Sequence, residues 1–241
     1  MLRLFSVAYW AFIALSCVVF FVVAAVVWAV TLPFDRRRVV LHLYSSAWAS
    51  FYVYVNPLWR LRVTGRDRVP WRGPAVLVAN HASLIDILVL FALFRPFKWV
   101  SKEEIFKVPL IGWNMRLNDY VPLKRGSGAS VREMMAHCDR LLAAGSSVII
   151  FPEGRRTPDG QLQAFKNGAF ELSVRHHAPI IPVAVHGTRA ALPRHGLILR
   201  DHVDAHVRVL PPLDPADYPD VGALRDAARA AIEADLLKPA R

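Results

Sequence analysis

Two cysteines are few for a chain of 241 residues, and neither Cys17 nor Cys138 belongs to a metal-spaced cluster or a repeated framework. A disulfide scaffold and a structural zinc site therefore find no support. Also missing are an internal repeat, a GxSxG nucleophile elbow and any recognised zinc or RNA-binding motif. Acidic residues are scarce beside basic ones: 19 Asp plus Glu against 30 Lys plus Arg leave a net charge of +11. That balance favours anionic partners such as phosphorylated metabolites or membrane headgroups. Nucleic acid has the same sign, but the basic residues are dispersed, so no nucleic-acid partner is expected.

Charge is absent altogether from Leu4 to Phe34, LFSVAYWAFIALSCVVFFVVAAVVWAVTLPF. A bilayer core takes roughly 20 apolar helical residues, whereas a signal peptide's apolar region has roughly 7 to 15. The stretch also lacks a clear small-residue cleavage site, so it reads as a membrane-embedded or membrane-spanning helix. Arg36, Arg37 and Arg38 follow it and only Arg3 precedes it. In a spanning segment this asymmetry places the body of the protein on the cytoplasmic side of the cell membrane, with the three arginines on anionic lipid headgroups. The next segment, VVLHLYSSAWASFYVYVNPLWRL, carries Trp48, Tyr52, Tyr54 and Trp59, residue types that favour the boundary between water and lipid. A hairpin or helix pair within one leaflet is therefore the alternative to a span.

The expected organisation is a membrane-associated helical region over residues 1–60 and an α/β domain over 61–241, a mixed sheet flanked by helices. VLVAN (76–80), SSVIIFPEG (146–154) and PIIPVAVHG (179–187) read as strands, and VDAHVRVLPPL (203–213) as an edge strand. SLIDILVLFALF (83–94), SVREMMAHCDRLLAAG (130–145), GAFELSVRHH (168–177) and ALRDAARAAIEADL (223–236) read as helices. Ligands in open α/β sheets lie beyond the carboxyl ends of strands, which directs attention to residues 80–86, 151–156 and 186–189.

The first of these junctions holds NHASLID, residues 80–86. On a continuous helix His81 and Asp86, five apart, would differ by about 140° and would not meet. A loop that turns the imidazole back over the first helical turn lets Asp86 accept a hydrogen bond from it. A purely structural account is also available, because Ser83-x-x-Asp86 resembles a capping box and Asn80 suits a turn. In the catalytic account, histidine supplies a general base while the carboxylate fixes its tautomer and stabilises the imidazolium.

FPEGRR, residues 151–156, reads either as a turn with solvated charges or as an anion site. In the second reading Arg155 and Arg156 grip a phosphate, Glu153 bonds a hydroxyl or orders an arginine, and Gly154 admits the ligand to the backbone. Lys124 and Arg125 in VPLKRGSG, residues 121–128, are either a mobile charged loop or a second phosphate or cofactor contact.

NHASLID, PLKR, FPEGRR and IPVAVHG resemble, in that order, the four blocks of the glycerolipid acyltransferase family, which includes the 1-acylglycerol-3-phosphate acyltransferases. The resemblance covers roughly residues 70–190. It implies acyl transfer from a coenzyme A or acyl carrier protein thioester, a substrate and not a bound cofactor, to the sn-2 hydroxyl of lysophosphatidic acid. It further implies His81 as general base and Asp86 as its partner. Glu153, Gly154 and Arg156 fall in an acceptor-binding block, Arg125 in a phosphate-contacting block, and Pro182 in a supporting one. Two positions depart from the pattern: Arg155 stands where a threonine is usual, and Lys124 where an acidic residue is common. Both add positive charge near the phosphate site, leaving another lysolipid, such as a lyso amino-acid lipid, as an alternative acceptor. Two other readings fit less well. A serine hydrolase would use Ser83, which helix capping already explains, and a noncatalytic anionic-lipid binder leaves the His and Asp at the junction unexplained.

Overall fold

The computed structural model describes residues 2–157, 161–191, 198–199 and 202–238. Two helices, α1 (Leu2–Thr31) and α2 (Val39–Tyr54), precede an α/β body. Its strands are β1 (Trp59–Thr64), β2 (Val76–Ala79), β3 (Lys98–Lys102), β4 (Val121–Leu123), β5 (Val148–Ile150), β6 (Ile180–His186) and β7 (Val203–Val209). They form one seven-stranded sheet in the order β1-β7-β6-β2-β5-β3-β4. Neighbours are parallel except β6 and β7, so the sheet is mixed. Helices α3 (Ile85–Phe91), α4 (Ile111–Leu117), α5 (Gly128–Ala143), α6 (Gly168–His176) and α7 (Val221–Leu236) flank it.

The central strands are continuous apolar runs because both faces of the sheet are covered. Alternate residues of β2 point to opposite sides. Leu77 and Ala79 pack with Val89, Phe91 and Trp99 on one face, while Val76 and Val78 meet Leu142, Phe170 and Ile232 on the other. Parallel pairing of β2 with β5 and β6 brings the carboxyl ends of all three strands to one edge of the sheet. That alignment assembles residues 80–86, 151–156 and 186–189 from three separate stretches of chain.

Three expectations need correction. The strand at 203–213 is not at an edge: β7 lies between β6 and β1, and β1 begins within the segment whose aromatics suggest a lipid boundary. It also stops at Val209, before Pro211 and Pro212, which lack the N–H that a ladder needs, and resumes only as an isolated bridge from Leu213 to Ile180. The helix expected over 83–94 is shortened to α3, because residues 80–84 form a loop that the Asp86 side chain holds. Finally, Trp48, Tyr52 and Trp59 are buried in the protein, and of the four aromatics only Tyr54 is exposed.

Those inward-facing aromatics join the helix pair to the body. Tyr52 and Trp48 pack against Phe20 of α1, and Tyr9 of α1 lies edge-on to Trp59. His42 of α2 bonds the Tyr120 hydroxyl at 2.7 Å and the Arg95 carbonyl at 2.9 Å. The helix Arg3–Thr31 is long and apolar enough to cross a membrane, and only 11% of its most apolar window is buried. Yet it touches the body at Ser6, whose hydroxyl accepts from Leu199 N, and again at Phe21, which meets Trp113. These contacts are about 22 Å apart along the helix axis, so α1 lies along the body.

Candidate active site

β2 ends at Ala79, and the side-chain amide of Asn80 then ties its end to β6, donating to Val185 O at 2.9 Å and accepting from Val185 N at 2.8 Å. His81 follows in the loop. Its Nδ1 lies 2.9 Å from Asp86 Oδ2, so the loop brings together the two residues that a continuous helix would have kept apart. The same oxygen accepts the backbone amides of Ala82 at 2.7 Å and Ser83 at 2.8 Å. Asp86 Oδ1 accepts from the Thr188 hydroxyl. The structural and catalytic readings of Asp86 thus coincide: its carboxylate holds the first turn and the imidazole at once. Only half of the capping box forms, since the Ser83 hydroxyl accepts from Ile85 N rather than Asp86 N.

Asp86 is completely buried and His81 is 5% exposed. A carboxylate only accepts, so Nδ1 carries the ring proton and Nε2 of the neutral ring keeps a lone pair. The ring is held flat against Phe151, with centroids 4.0 Å apart and planes 13° apart. Phe151 leans in turn on Trp99.

Glu153 lies in the expected place, but its oxygens are engaged in a way that the sequence did not reveal. Oε1 accepts the His81 backbone amide at 2.7 Å and Oε2 that of Gln163 at 2.9 Å. Burial pushes the Glu153 carboxyl above its ordinary range, and the two amides oppose that shift. Gly154 adopts φ of +73°, and a Cβ there would crowd the Lys166 side chain. Arg155 is exposed and Arg156 half-buried; neither forms an ion pair among the described residues.

Lys124 and Arg125 follow β4 at the same edge of the sheet and are exposed. Partial desolvation lowers the Arg125 pKa; Glu104 opposes that shift, and Arg156 adds to it. The two guanidiniums therefore lie within electrostatic reach of one another, as a shared dianionic ligand would require. Lys166 was not singled out in the sequence, and Thr188 was included only within the strand-end junction 186–189, with no role of its own. Thr188 follows the IPVAVHG block at the carboxyl end of β6, and Lys166 lies in the FKNG run after FPEGRR, so the strand-end position was the signal for Thr188 and adjacency to the block that for Lys166.

An apolar cavity of about 220 Å³ lies between the helix pair and the body, lined by residues that include Trp10, Ile13, Trp48, Leu88, Phe91, Trp99 and Met115. Through Trp99 and Phe151 its wall is continuous with the stack on His81.

A family model described as Acyltransferase matches residues 60–186. A chloroplastic 1-acyl-sn-glycerol-3-phosphate acyltransferase of Brassica napus is 36% identical over 184 residues, 76% of this chain and 53% of that protein. The chloroplastic 1-acyl-sn-glycerol-3-phosphate acyltransferase of Arabidopsis thaliana is also 36% identical, over 73% of this chain and 49% of its own length. The chain thus spans about half the length of these curated relatives. The crystal structure of the 1-acyl-sn-glycerophosphate acyltransferase PlsC from Thermotoga maritima superposes with a TM-score of 0.77. It covers 98% of this chain and 96% of that one at 22% identity, a likeness of fold.

Proposed function

This chain belongs to the acyltransferase family, and we propose that it transfers a fatty acyl group from a coenzyme A or acyl carrier protein thioester to the sn-2 hydroxyl of 1-acylglycerol-3-phosphate, forming phosphatidic acid. The observation that carries this reading is the buried His81–Asp86 pair at the carboxyl end of β2, with Nδ1 held and Nε2 left with its lone pair. The names of the relatives support the choice of acceptor.

His81 Nε2 takes the proton of the acceptor hydroxyl as its oxygen attacks the thioester carbonyl. Asp86 stabilises the imidazolium that forms, and general-base catalysis of this kind contributes roughly 100- to 10,000-fold. The tetrahedral adduct then collapses, the carbon–sulfur bond breaks, and the histidinium proton passes to the departing thiolate. These steps need no covalent enzyme intermediate and no bound cofactor or metal. Arg125 and Arg156 hold the acceptor phosphate, with Lys124 and Arg155 adding charge at the rim. Gly154 keeps the backbone open to the ligand. Glu153 holds the His81 backbone amide and keeps acceptor capacity for a ligand hydroxyl. The apolar cavity receives a hydrocarbon tail.

In this reading α1, which lies along the body, lets its exposed side chains, among them Leu15, Val19, Val22 and Val26, enter one leaflet. Of the three arginines after α1, Arg37 donates to Gly145 O at 2.7 Å and Arg38 lies over the Trp28 ring. Arg36, exposed at the turn, is therefore the group best placed for an anionic headgroup.

The test is phosphatidic acid formation by purified protein in detergent or lipid, with lysophosphatidic acid and the two thioester donors in parallel, against His81→Ala. Product with at least one donor and near-complete loss in the variant are expected. Lack of product with both donors would reject this acceptor, and undiminished turnover by His81→Ala would reject the role of the histidine.

A further inference from the structure

The Asp86 carboxylate has two oxygens, and the family blocks account for the partners of only one. Oδ2 is used by His81 Nδ1 and two local amides, whereas Oδ1 takes the hydroxyl of Thr188, 102 residues away in sequence. We propose that Thr188 is a positioning residue for the reaction: its hydroxyl fixes the rotation of the Asp86 carboxylate and, through it, the direction of His81 Nε2. This rests on the reading of His81 as the general base.

The setting of Thr188 is over-determined in a way that a casual contact would not be. Thr188 is 1% exposed and opens a 3-10 turn, Thr188–Ala190, closed by Ala191 N donating to Thr188 O at 3.0 Å. The residue before it, Gly187, has φ of +78° and lies so close to the Asp204 carbonyl that a Cβ has no room. Before that, buried His186 bonds buried Asp235 of α7 at 2.9 Å, fixing the end of β6 to the C-terminal helix. β7, β6 and α7 thus fix the two residues that lead into Thr188. Since a carboxylate cannot donate, the Thr188 hydroxyl must donate to it, and valine of nearly the same shape removes only that bond.

Without the bond, Asp86 remains anchored at Oδ2 but is free to rotate about that anchor, and the imidazole follows. Thr188 bonds Asp86, whereas the residues assigned to the acceptor phosphate are Arg125 and Arg156, so the loss is expected in turnover more than in binding. Removing an outer hydrogen bond to a reacting group lowers turnover by about 10- to 100-fold.

Steady-state acyl transfer by Thr188→Val, Thr188→Ser and His81→Ala, each checked for an unchanged melting curve, tests this. Thr188→Val is expected to lose about 10- to 100-fold in kcat with KM for both substrates within about twofold, and Thr188→Ser to recover most of it. If Thr188→Val does not accumulate as folded protein, Thr188→Ala removes the hydroxyl without added bulk and is read by the same split. A folded hydroxyl-free variant with wild-type kcat, a loss confined to KM, or failure of folded Thr188→Ser to recover would overturn the proposal. Inactive His81→Ala beside fully active Thr188→Val would defeat the role of Thr188 alone, whereas active His81→Ala would defeat the base itself. A second readout needs no substrate: in 15N-histidine-labelled protein, the His81 Nδ1–H signal, assigned by its loss in His81→Ala, should exchange with water faster in Thr188→Val than in wild type or Thr188→Ser. Equal protection in all three would also overturn the proposal.

Discussion

Replacing Asp86 by asparagine separates the charge of the carboxylate from its geometry. The Ala82 and Ser83 amides, at 2.7 and 2.8 Å, both point at Oδ2, so the asparagine oxygen takes that place and still accepts from His81 Nδ1. Its NH2 group then faces Thr188, whose hydroxyl rotates from donor to acceptor. Every hydrogen bond survives and only the charge is lost. Two unit charges about 4 Å apart at an effective dielectric near 20 attract by about 4 kcal/mol, close to a thousandfold in rate. Asp86→Asn should therefore lower kcat by about 100- to 1,000-fold at little cost in stability. Asp86→Ala is the contrast: it leaves the His81, Ala82, Ser83 and Thr188 donors without their acceptor in a buried site and should destabilise the fold by about 3–5 kcal/mol. Initial-rate acyl transfer, beside thermal or denaturant unfolding of the same preparations, distinguishes the two. Folded Asp86→Asn with kcat within a few fold of wild type would refute the reasoning, because the imidazolium would then need no counter-charge.

Acid should loosen the attachment of the helix pair. Burial, reinforced by the charge of Lys98, holds His42 down from 6.5 to about 3. The stabilisation from the neutral ring is complete above pH 6.5 and falls by about 1.4 kcal/mol per unit below that, until about pH 3. His42→Gln keeps a donor and an acceptor but cannot titrate, so unfolding followed between pH 7 and 4 should show a shallower acid slope; identical slopes would contradict the assignment. Arg156→Ala should raise KM for the acceptor by about 10- to 100-fold with a smaller change in kcat, as expected on losing a charge-assisted bond present in ground and transition states alike. Gly187→Ala should cost about 2–3 kcal/mol or more, from strain at φ of +78° plus collision with the Asp204 carbonyl. Gly126→Ala, at φ of +81° but with open space around it, should cost only the strain, and equal melting temperatures for the two would remove the steric argument.

The His81–Asp86 contact and the two basic clusters were legible in sequence because each lies within a short block at a strand end, where turn chemistry and residue type act locally. The helix and strand periods were legible for the same reason. The contact between Glu153 and the His81 amide was not legible, since nothing in FPEGRR indicates that its carboxylate reaches an amide 72 residues earlier. Likewise Trp48, Tyr52 and Trp59 have the composition of a lipid boundary, and only the partners that pack on them show that they face inward.

Residue order alone sets most of the elements, the long apolar first helix, the family blocks and the His81–Asp86 contact, because all of these depend on neighbours within a few turns or strands. Long-range packing sets which strands adjoin, placing β7 inside the sheet, laying α1 along the body and bringing Thr188 to Asp86. Lateral order in a sheet is fixed by which faces can be buried together across the whole chain, and no local pattern carries that information.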